Sequence, residues 1–295
     1  MLKKIKSYMM PIAMTLGILF YEPLSKLGFI TPGLVAVMLF ISYSVISLKD
    51  VRISKLHLLL AGIQLLGSWL AYQALLPVNP TIAQGVMICI LAPTATSAIV
   101  ITGMLGGNTS SLAAYSLLCN MCAVVFAPLM FVMLGYESDI PFWQAFLLIF
   151  GQVFPILLAP FAASLALQKF FPAAYFALRR MQSVSFYLWG VALTIVTART
   201  VNFILAQEPS GYQTELSIAG LSLLACGLQF FTGKQLGRRY NDTIAGGQGL
   251  GQKNTVLAIW MAQTFMNPIS SIGPGAYVLW QNLFNSWQVW RMGRK

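Results

Sequence analysis

Charged residues are scarce in this sequence. Only 8% of its 295 residues are Asp, Glu, Lys or Arg, whereas soluble domains carry about 25%. Hydrophobic residues make up 58% of the chain and recur in apolar runs of about 18 or more residues, the length that a membrane-spanning helix needs. This composition excludes a soluble enzyme and predicts an all-α polytopic membrane protein.

Acidic residues are scarcer still, and none lies deep in an apolar run. All seven acids fall in predicted loops or near the ends of runs: Glu22, Asp50, Glu137, Asp139, Glu208, Glu215 and Asp242. No cluster of His, Asp and Glu lies at membrane depth, so the sequence offers no acid–base or metal-assisted chemistry. We therefore predict no enzymatic activity, no metal centre and no cofactor.

The four cysteines, Cys89, Cys119, Cys122 and Cys226, all lie in apolar stretches. Cys119 and Cys122 have the spacing of a redox or metal pair, but no other ligand cluster accompanies them. We interpret all four as buried helical thiols.

Basic residues dominate the charge, giving a net charge of +11. Fifteen of the eighteen fall between apolar runs in five groups of three, and they follow the excess of Lys and Arg in cytoplasmic loops: Lys3, Lys4, Lys6; Lys49, Arg52, Lys55; Lys169, Arg179, Arg180; Lys234, Arg238, Arg239; Arg291, Arg294, Lys295. This asymmetry predicts cytoplasmic termini and no nucleic-acid partner. The basic start lacks a small-residue cleavage site, and we expect a retained first helix in a prokaryotic inner membrane.

Ten spans are predicted, at residues 8–24, 29–47, 54–76, 79–103, 109–134, 142–168, 183–206, 213–235, 245–266 and 270–290. Short connections make residues 1–295 a single transmembrane domain. The spans divide into two sets of five, within residues 1–134 and 142–290. Since five is odd, the second set has the inverted topology, which is common in transporters.

The fourth span of each half is weak as a continuous helix. Pro93 removes a backbone donor and is followed by Thr94, Thr96 and Ser97, whereas residues 246–251 contain four glycines. Backbone groups freed by such breaks cannot face lipid. We expect the two broken helices to cross inside the protein and mark a transporter's binding site.

Lys253 lies inside the second break. An ionisable side chain within a membrane is a functional candidate by default. An ammonium removed from water must be paired or release its proton, and we expect carbonyls freed at residues 249–252 to face it. The alternative is a lysine that extends to the membrane interface from a helix start.

These residues resemble the bile acid:sodium symporter family over nearly the whole chain. The most specific segments run from Pro93 to Asn108, from Gln252 to Asn254 and from Pro274 to Asn282, and the early segment from Ser42 to Asp50 is similar. The resemblance implies ten helices, a panel domain of spans 1, 2, 6 and 7, and a core domain of spans 3–5 and 8–10. Spans 4 and 9 unwind and cross, and organic anions bind between the domains during alternating access.

The sequence departs from the family at the sodium sites. The resemblance implies a shared glutamate where this chain has Gly249, and a glutamine where it has Lys253. Side-chain ligands are also replaced by Ala98, Ile99 and Leu112. Hard cations need oxygen ligands, so only Thr96, Ser116, Gln252 and Asn254 are kept as residual sodium-site positions.

Other polar residues within spans have two interpretations. Arg199 either binds a substrate carboxylate through its planar guanidinium or pairs with Glu208 or Glu215. Four amides either line a polar cavity or hydrogen-bond helices together: Gln263, Asn267, Gln281 and Asn282. We include Asn267 among the candidate site residues.

The sequence thus predicts a secondary transporter of small organic anions that resides in a lipid bilayer. In this hypothesis Lys253 replaces the coupling cation or couples transport to protons. An ordinary sodium symporter and a non-transporting membrane sensor are the alternatives.

Overall fold

The computed structural model describes residues 2–44, 52–95, 97–135, 139–206 and 212–292. Within these ranges the regular structure is helical, apart from one isolated β-bridge between Thr94 and Lys253. An all-helical membrane protein is what the composition predicts.

The described ranges contain fourteen α-helices and two short 3₁₀ helices. The α-helices are α1 (Leu2–Leu19), α2 (Tyr21–Ser25), α3 (Thr31–Tyr43), α4 (Lys55–Leu75), α5 (Pro80–Leu91), α6 (Ser97–Met104), α7 (Thr109–Met133), α8 (Phe142–Phe170), α9 (Pro172–Arg180), α10 (Gln182–Leu205), α11 (Gln213–Arg239), α12 (Thr243–Gly251), α13 (Thr255–Phe265) and α14 (Ile272–Met292). The 3₁₀ helices are Lys26–Ile30 and Pro268–Ser271.

Among the residues that the structure describes, six helical segments are long and apolar enough to cross a membrane. They are Tyr21–Tyr43, Lys55–Leu75, Thr109–Met133, Phe142–Phe170, Gln182–Leu205 and Gln213–Arg239. Met9–Leu19, Pro80–Leu91 and Thr255–Phe265 are shorter apolar helices. Length and apolar composition therefore support a polytopic membrane protein.

Asparagine starts several of these helices by accepting hydrogen bonds from otherwise unpaired amides. Asn79 accepts from the backbone of the first turn of α5, where Pro80 also favours a helix start. Asn108 does the same for α7, and Asn254 for α13. The sequence thus encodes the restart of the helix after the second break.

Two predicted spans are each divided near the middle into two helices, in addition to the break at Phe20 that separates α1 from α2 in the span predicted at 8–24. In the span predicted at 79–103, α5 ends at Leu91 and α6 begins at Ser97. In the span predicted at 245–266, α12 ends at Gly251 and α13 begins at Thr255. These ends lie at the proline and at the glycine cluster, where a continuous helix is weakest.

The two halves of the second interrupted span, α12 and α13, lie in the protein interior. Ten of the eleven residues of α13 and seven of the nine of α12 are buried. Helix α13 packs in the main apolar core with α3, α5, α7, α8 and α10, through residues that include Leu39, Met87, Phe131 and Val196. A helix that is apolar all round belongs in such a core.

The region between α8 and α10 differs from the predicted connection. The prediction treated residues 169–182 as a loop, but Pro172 begins the nine-residue helix α9. Proline is favoured at the first helical position. A helix this short lacks the length of apolar sequence by which we identified spans.

Glycines set the close packing of α11 on α12. A Cβ atom at Gly233 would overlap the carbonyl oxygen of Gly246, and a Cβ atom at Gly246 would overlap that of Gly233. Small residues allow helix backbones to approach in this way within membranes. This close contact packs α11 against α12, the helix that ends at the second break.

We expect Gly233→Ala to lower the melting temperature of the detergent-solubilised protein. The added methyl group would force the two backbones apart, which in packed cores costs roughly 1–3 kcal/mol. Gly220→Ala is the matched control, since Gly220 lies on the same helix and a Cβ atom there meets nothing within 4 Å. An equal melting temperature for the two variants would contradict this account.

Candidate functional site

The two broken helices are joined by a pair of backbone hydrogen bonds. The amide of Ala95 donates to the carbonyl of Gln252 over 3.0 Å, and the amide of Asn254 donates to the carbonyl of Pro93 over 2.8 Å. These bonds flank the antiparallel bridge between Thr94 and Lys253. We call residues 93–95 and 252–254 the crossover.

The two bridge residues direct their own amides away from the crossover. The amide of Thr94 donates to the Cys119 thiol over 3.3 Å. The amide of Lys253 donates to the Gln281 side-chain oxygen over 2.8 Å. Buried amides need such partners, so α7 and α14 enclose the crossover from two sides.

The ammonium group of Lys253 binds the carboxyl end of α5. Its Nζ donates to the Ile90 carbonyl over 2.9 Å. Since α5 ends at Leu91, this carbonyl is among the last four, which have no partner within the helix. The ammonium therefore satisfies one of them and lies at the negative end of the helix dipole.

This partner differs from the prediction. The sequence placed the ammonium against carbonyls at residues 249–252, at the end of its own half-helix. The side chain instead reaches the end of the opposite half-helix, α5. The bridge at Thr94 brings that end close, a contact that is not local in the sequence.

Lys253 is fully enclosed, with only 1% of its surface exposed. The titratable groups that interact with it electrostatically are the thiols of Cys89, Cys119 and Cys226, and no carboxylate of the described residues is among them. Burial this complete argues against a lysine that extends to the membrane interface.

Gln64 of α4 satisfies the remaining carbonyls at the end of α5. Its amide nitrogen donates to Leu91 over 2.8 Å and to Ala92 over 3.2 Å. Its oxygen accepts from the Tyr115 hydroxyl over 2.8 Å. One buried glutamine thus ties α4 and α7 to the crossover.

The end of α12 is satisfied by hydroxyl groups. Thr94 donates through Oγ1 to the Gly249 carbonyl over 2.6 Å. Tyr277 of α14 donates to the Gly251 carbonyl over 2.8 Å. Gln229 donates in turn to the Tyr277 hydroxyl over 3.0 Å. Side chains therefore bind freed carbonyls at the ends of both half-helices, at Ile90 and Leu91 in α5 and at Gly249 and Gly251 in α12.

Tyr115 fills the space beside Gly249. A Cβ atom at Gly249 would lie 2.8 Å from Cδ1 of Tyr115, closer than real Cβ contacts. No side chain fits at this position unless the tyrosine ring moves. At Gly249, the position that the resemblance aligns with a shared glutamate, the Tyr115 ring therefore occupies the space that a side chain would need.

Two predicted site residues lie where the second half-helices begin. Ser97 starts α6 and is exposed, and its hydroxyl accepts from Gln252 over 2.9 Å. Asn254 caps α13 by accepting from the Leu257 amide. Thr96 lies outside the described residues.

Ser116 lies on α7 beside this group. It is buried, and its carbonyl accepts from Cys119 and from the Asn120 amide. The side-chain oxygens of Asn120 and Gln252 are buried without a hydrogen-bond partner. Free acceptors therefore remain among the residual sodium-site positions and their neighbours.

Arg199 lies away from the crossover. Its guanidinium is half-buried against Gly28, where a Cβ atom would overlap the side chain, and it stacks on Phe203 at 5.7 Å. Of the two carboxylates suggested as its partners, Glu208 lies outside the described residues, and Glu215 lies at the start of α11. The neighbouring Thr200 contacts Gln263 near the far end of α13.

Asn267 is also remote from the crossover. It follows the eleven residues of α13, a helix about 16 Å long at about 1.5 Å per residue. Its side chain donates to Thr81 over 3.2 Å, and its backbone amide donates to Gln84 over 2.9 Å. These contacts attach the end of α13 to the start of α5.

The other amides hydrogen-bond helices together, one of the two interpretations left by the sequence. Gln263 donates to Val196 and Thr200 of α10, and Gln281 accepts from Lys253. Asn282 donates to the Met10 sulfur of α1 over 3.4 Å and, within α14, to the Val278 carbonyl over 2.6 Å. Such bonds stabilise helix contacts in membranes.

Sequence reasoning missed Gln64, Tyr115 and Tyr277. Each is buried, and each directs a polar group at the crossover or at its neighbour. A glutamine in the middle of an apolar span was a usable signal, since lipid-facing amides are disfavoured. The tyrosines carried no such signal, because their rings also suit an apolar core or an interface.

A comparison with known protein families matches residues 58–207, half of the chain, to the family described as the Sodium Bile acid symporter family. A search of curated proteins finds no match. The matched segment runs from α4 to the end of α10 and includes the first half of the crossover.

We expect Gln64→Leu to lower the melting temperature. The change leaves the carbonyls at the end of α5 and the Tyr115 hydroxyl without partners, and each buried unpaired group costs about 1–3 kcal/mol. Gln73→Leu is the control, because Gln73 lies on the same helix and is exposed. A destabilisation no larger than that of the control would show that the Gln64 contacts are dispensable.

Proposed function

The chain belongs to the Sodium Bile acid symporter family, and from this premise we propose that it carries small organic anions across a membrane by alternating access. Membership of a transporter family implies a carrier rather than an enzyme. The bilayer is the second partner, consistent with six helices long and apolar enough to cross it.

The proposed architecture is ten transmembrane segments in two inverted sets of five. Spans 1, 2, 6 and 7 form a panel, and spans 3–5 and 8–10 form a core that moves against it. The position of the two breaks, each in the fourth segment of its half, supports this plan. Both termini are placed in the cytoplasm, in a prokaryotic inner membrane.

The proposed anion site lies beside the crossover, near Ser97 and Asn254. Helices α6 and α13 both begin there, so the partial positive charge of two helix starts favours a negative group at this point. We include Thr96 and Gln252 in this site, while Thr94 and Lys253 hold the crossover beside it. Lys253 does not contact the substrate in this arrangement, because its ammonium is directed to Ile90.

The proposed role of Lys253 is that of an internal cation. The observation that carries this proposal is the 2.9 Å hydrogen bond from Nζ to the Ile90 carbonyl. The ammonium supplies positive charge at the end of α5 and links the two half-helices. A bound ion would provide the same charge reversibly, whereas the lysine provides it through a covalent tether.

Electrostatics oppose an additional sodium ion next to this lysine. Two unit charges about 4 Å apart repel by roughly 4 kcal/mol at an effective dielectric of about 20. The described acids Glu22, Asp139, Glu215 and Asp242 are not buried, so none offers compensation. The packing of Tyr115 on Gly249 also leaves no room for a carboxylate there.

Two other coupling modes are the principal alternatives. An ordinary sodium symporter is what the family name suggests, and the free oxygens of Asn120 and Gln252 favour it. In a proton-coupled carrier, Lys253 would lose and regain its proton during transport. A non-transporting sensor is a third candidate, and substrate uptake into proteoliposomes distinguishes it from a carrier.

We expect the melting temperature of the wild type to be the same in sodium chloride and in choline chloride. We expect Lys253→Met to lower it in both salts, because the Ile90 carbonyl loses its partner. Ligands that bind the native state raise the melting temperature with concentration, so a real sodium site is detectable without a substrate. Lys55→Met, at an exposed lysine, is the control.

Two results would contradict the internal-cation proposal. A saturable rise with sodium in the wild type would establish sodium binding and favour ordinary symport. A Lys253→Met protein as stable as Lys55→Met would show that the ammonium does not support the crossover. Uptake that follows an imposed proton gradient and loses this dependence in Lys253→Met would identify proton coupling.

We propose that Arg199, which lies near the far end of α13 from the crossover, binds a substrate carboxylate at a separate subsite on the panel side. We expect Arg199→Gln to raise the KM for uptake of carboxylates by about tenfold or more, since hydrogen bonds to charged groups contribute about 1.5–3 kcal/mol. Arg199→Lys keeps the charge but loses the planar guanidinium, so its KM should lie between that of the wild type and that of Arg199→Gln. Arg291→Gln is the control, because Arg291 also stacks on an aromatic ring, that of Trp287 at 5.4 Å. An unchanged KM in Arg199→Gln would limit Arg199 to a packing role.

A further inference from the structure

The short helix α9 joins two long apolar helices, α8 and α10. It is anchored by Tyr175 and Leu178, whose side chains are 5% and 9% exposed. Its other residues are exposed. A nine-residue helix is about 14 Å long, too short to cross a bilayer, and unlike the equally short but buried helix α12 it is mostly exposed. Because it joins two helices that are long enough to span a membrane, we place it at a membrane boundary.

Exposed aromatic rings surround α9. Phe170 and Phe171, at the junction with α8, are 66% and 65% exposed, and Phe176 on α9 is 57% exposed. Large apolar side chains at a membrane boundary insert between lipid headgroups and acyl chains. These rings therefore place the helix in contact with lipid.

Three cations accompany these rings. Lys169, Arg179 and Arg180 are all exposed. The Lys169 ammonium lies 5.4 Å from the centre of the Phe170 ring. The patch thus combines three positive charges with three aromatic rings on one short segment, and we call it the α9 patch.

We propose that the α9 patch binds the headgroups of anionic phospholipids. Amphipathic helices with basic and aromatic residues bind such surfaces through apolar insertion together with attraction to anionic lipid. Arginine adds geometry, because its planar fork matches two phosphate oxygens. Anchoring by Tyr175 and Leu178 holds the cations beside the rings that enter the lipid.

A simpler reading explains the cations without lipid recognition. Basic residues in the last turn of a helix favour the helix dipole, and they orient the chain in the membrane. That reading predicts no preference between anionic and zwitterionic lipid beyond the effect of net charge. The two readings therefore differ in a measurable quantity.

The test titrates phosphatidylglycerol or phosphatidylcholine into micelles that contain the full-length protein and follows the melting temperature. Wild-type protein should show a saturable rise with phosphatidylglycerol only. Each basic residue near an anionic surface contributes about 1 kcal/mol, or roughly fivefold in binding. The variant Lys169→Gln/Arg179→Gln/Arg180→Gln should therefore need on the order of 100-fold more phosphatidylglycerol for half-saturation.

The control variant also loses three positive charges, but at exposed positions outside the α9 patch: Lys26→Gln, Arg238→Gln and Arg239→Gln. It should keep the wild-type midpoint. An equal loss in both variants would assign the effect to net charge and overturn the α9 patch. So would a wild-type midpoint in the first variant.

Two further arms address the source of the anion and the folding of the variant. Glycerophosphate at the same concentration should have no effect, and an equal rise would indicate a soluble-anion site instead. Arg179→Gln/Arg180→Gln keeps the stack of Lys169 on Phe170 and should need roughly 30-fold more lipid. This double variant decides the question if the triple variant unfolds, and an unshifted midpoint would overturn the proposal.

Discussion

Two backbone hydrogen bonds, from Ala95 to Gln252 and from Asn254 to Pro93, hold the interrupted helices against each other. A break in a helix inside a membrane frees carbonyl and amide groups that lipid cannot bind. Most of the buried polar side chains around the crossover are placed to satisfy those groups. Three of these side chains donate to carbonyls that have no partner within the helix they end: Gln64 and Lys253 at the end of α5, and Tyr277 at the end of α12.

A lysine in this position differs physically from a bound ion. An ion can leave, so its site changes charge during transport, whereas a tethered ammonium stays and keeps the end of α5 neutralised. Burying an ammonium is unfavourable unless dipoles or counter-charges compensate. Here the compensation comes from the carbonyl dipoles at the helix end rather than from a carboxylate. The positive charge at the end of α5 therefore cannot change by ion release, and the link between the two half-helices is permanent.

Sequence reasoning recovered the helical class and the positions of both breaks, since each depends on local properties. Pro93 lacks a backbone donor, and the glycines at residues 246–251 weaken a helix wherever they occur. It placed Lys253 inside the second break for the same reason. It assigned the ammonium the wrong carbonyls, because the true partner, Ile90, is 163 residues away in the sequence. It also missed α9, whose nine residues fall below the length used to recognise a span.

Composition and periodicity by themselves determined that this chain forms apolar helices and where two of them fail, because hydropathy and backbone chemistry act over a few neighbouring residues. Tertiary structure alone decided which side chains bind and pack against the helix ends at the two breaks. Tyr115 packs on Gly249, Gln64 reaches the end of α5, and Arg199 stacks on Phe203 far from the crossover. These contacts join residues from separate helices, and their geometry arises only when the helices pack together.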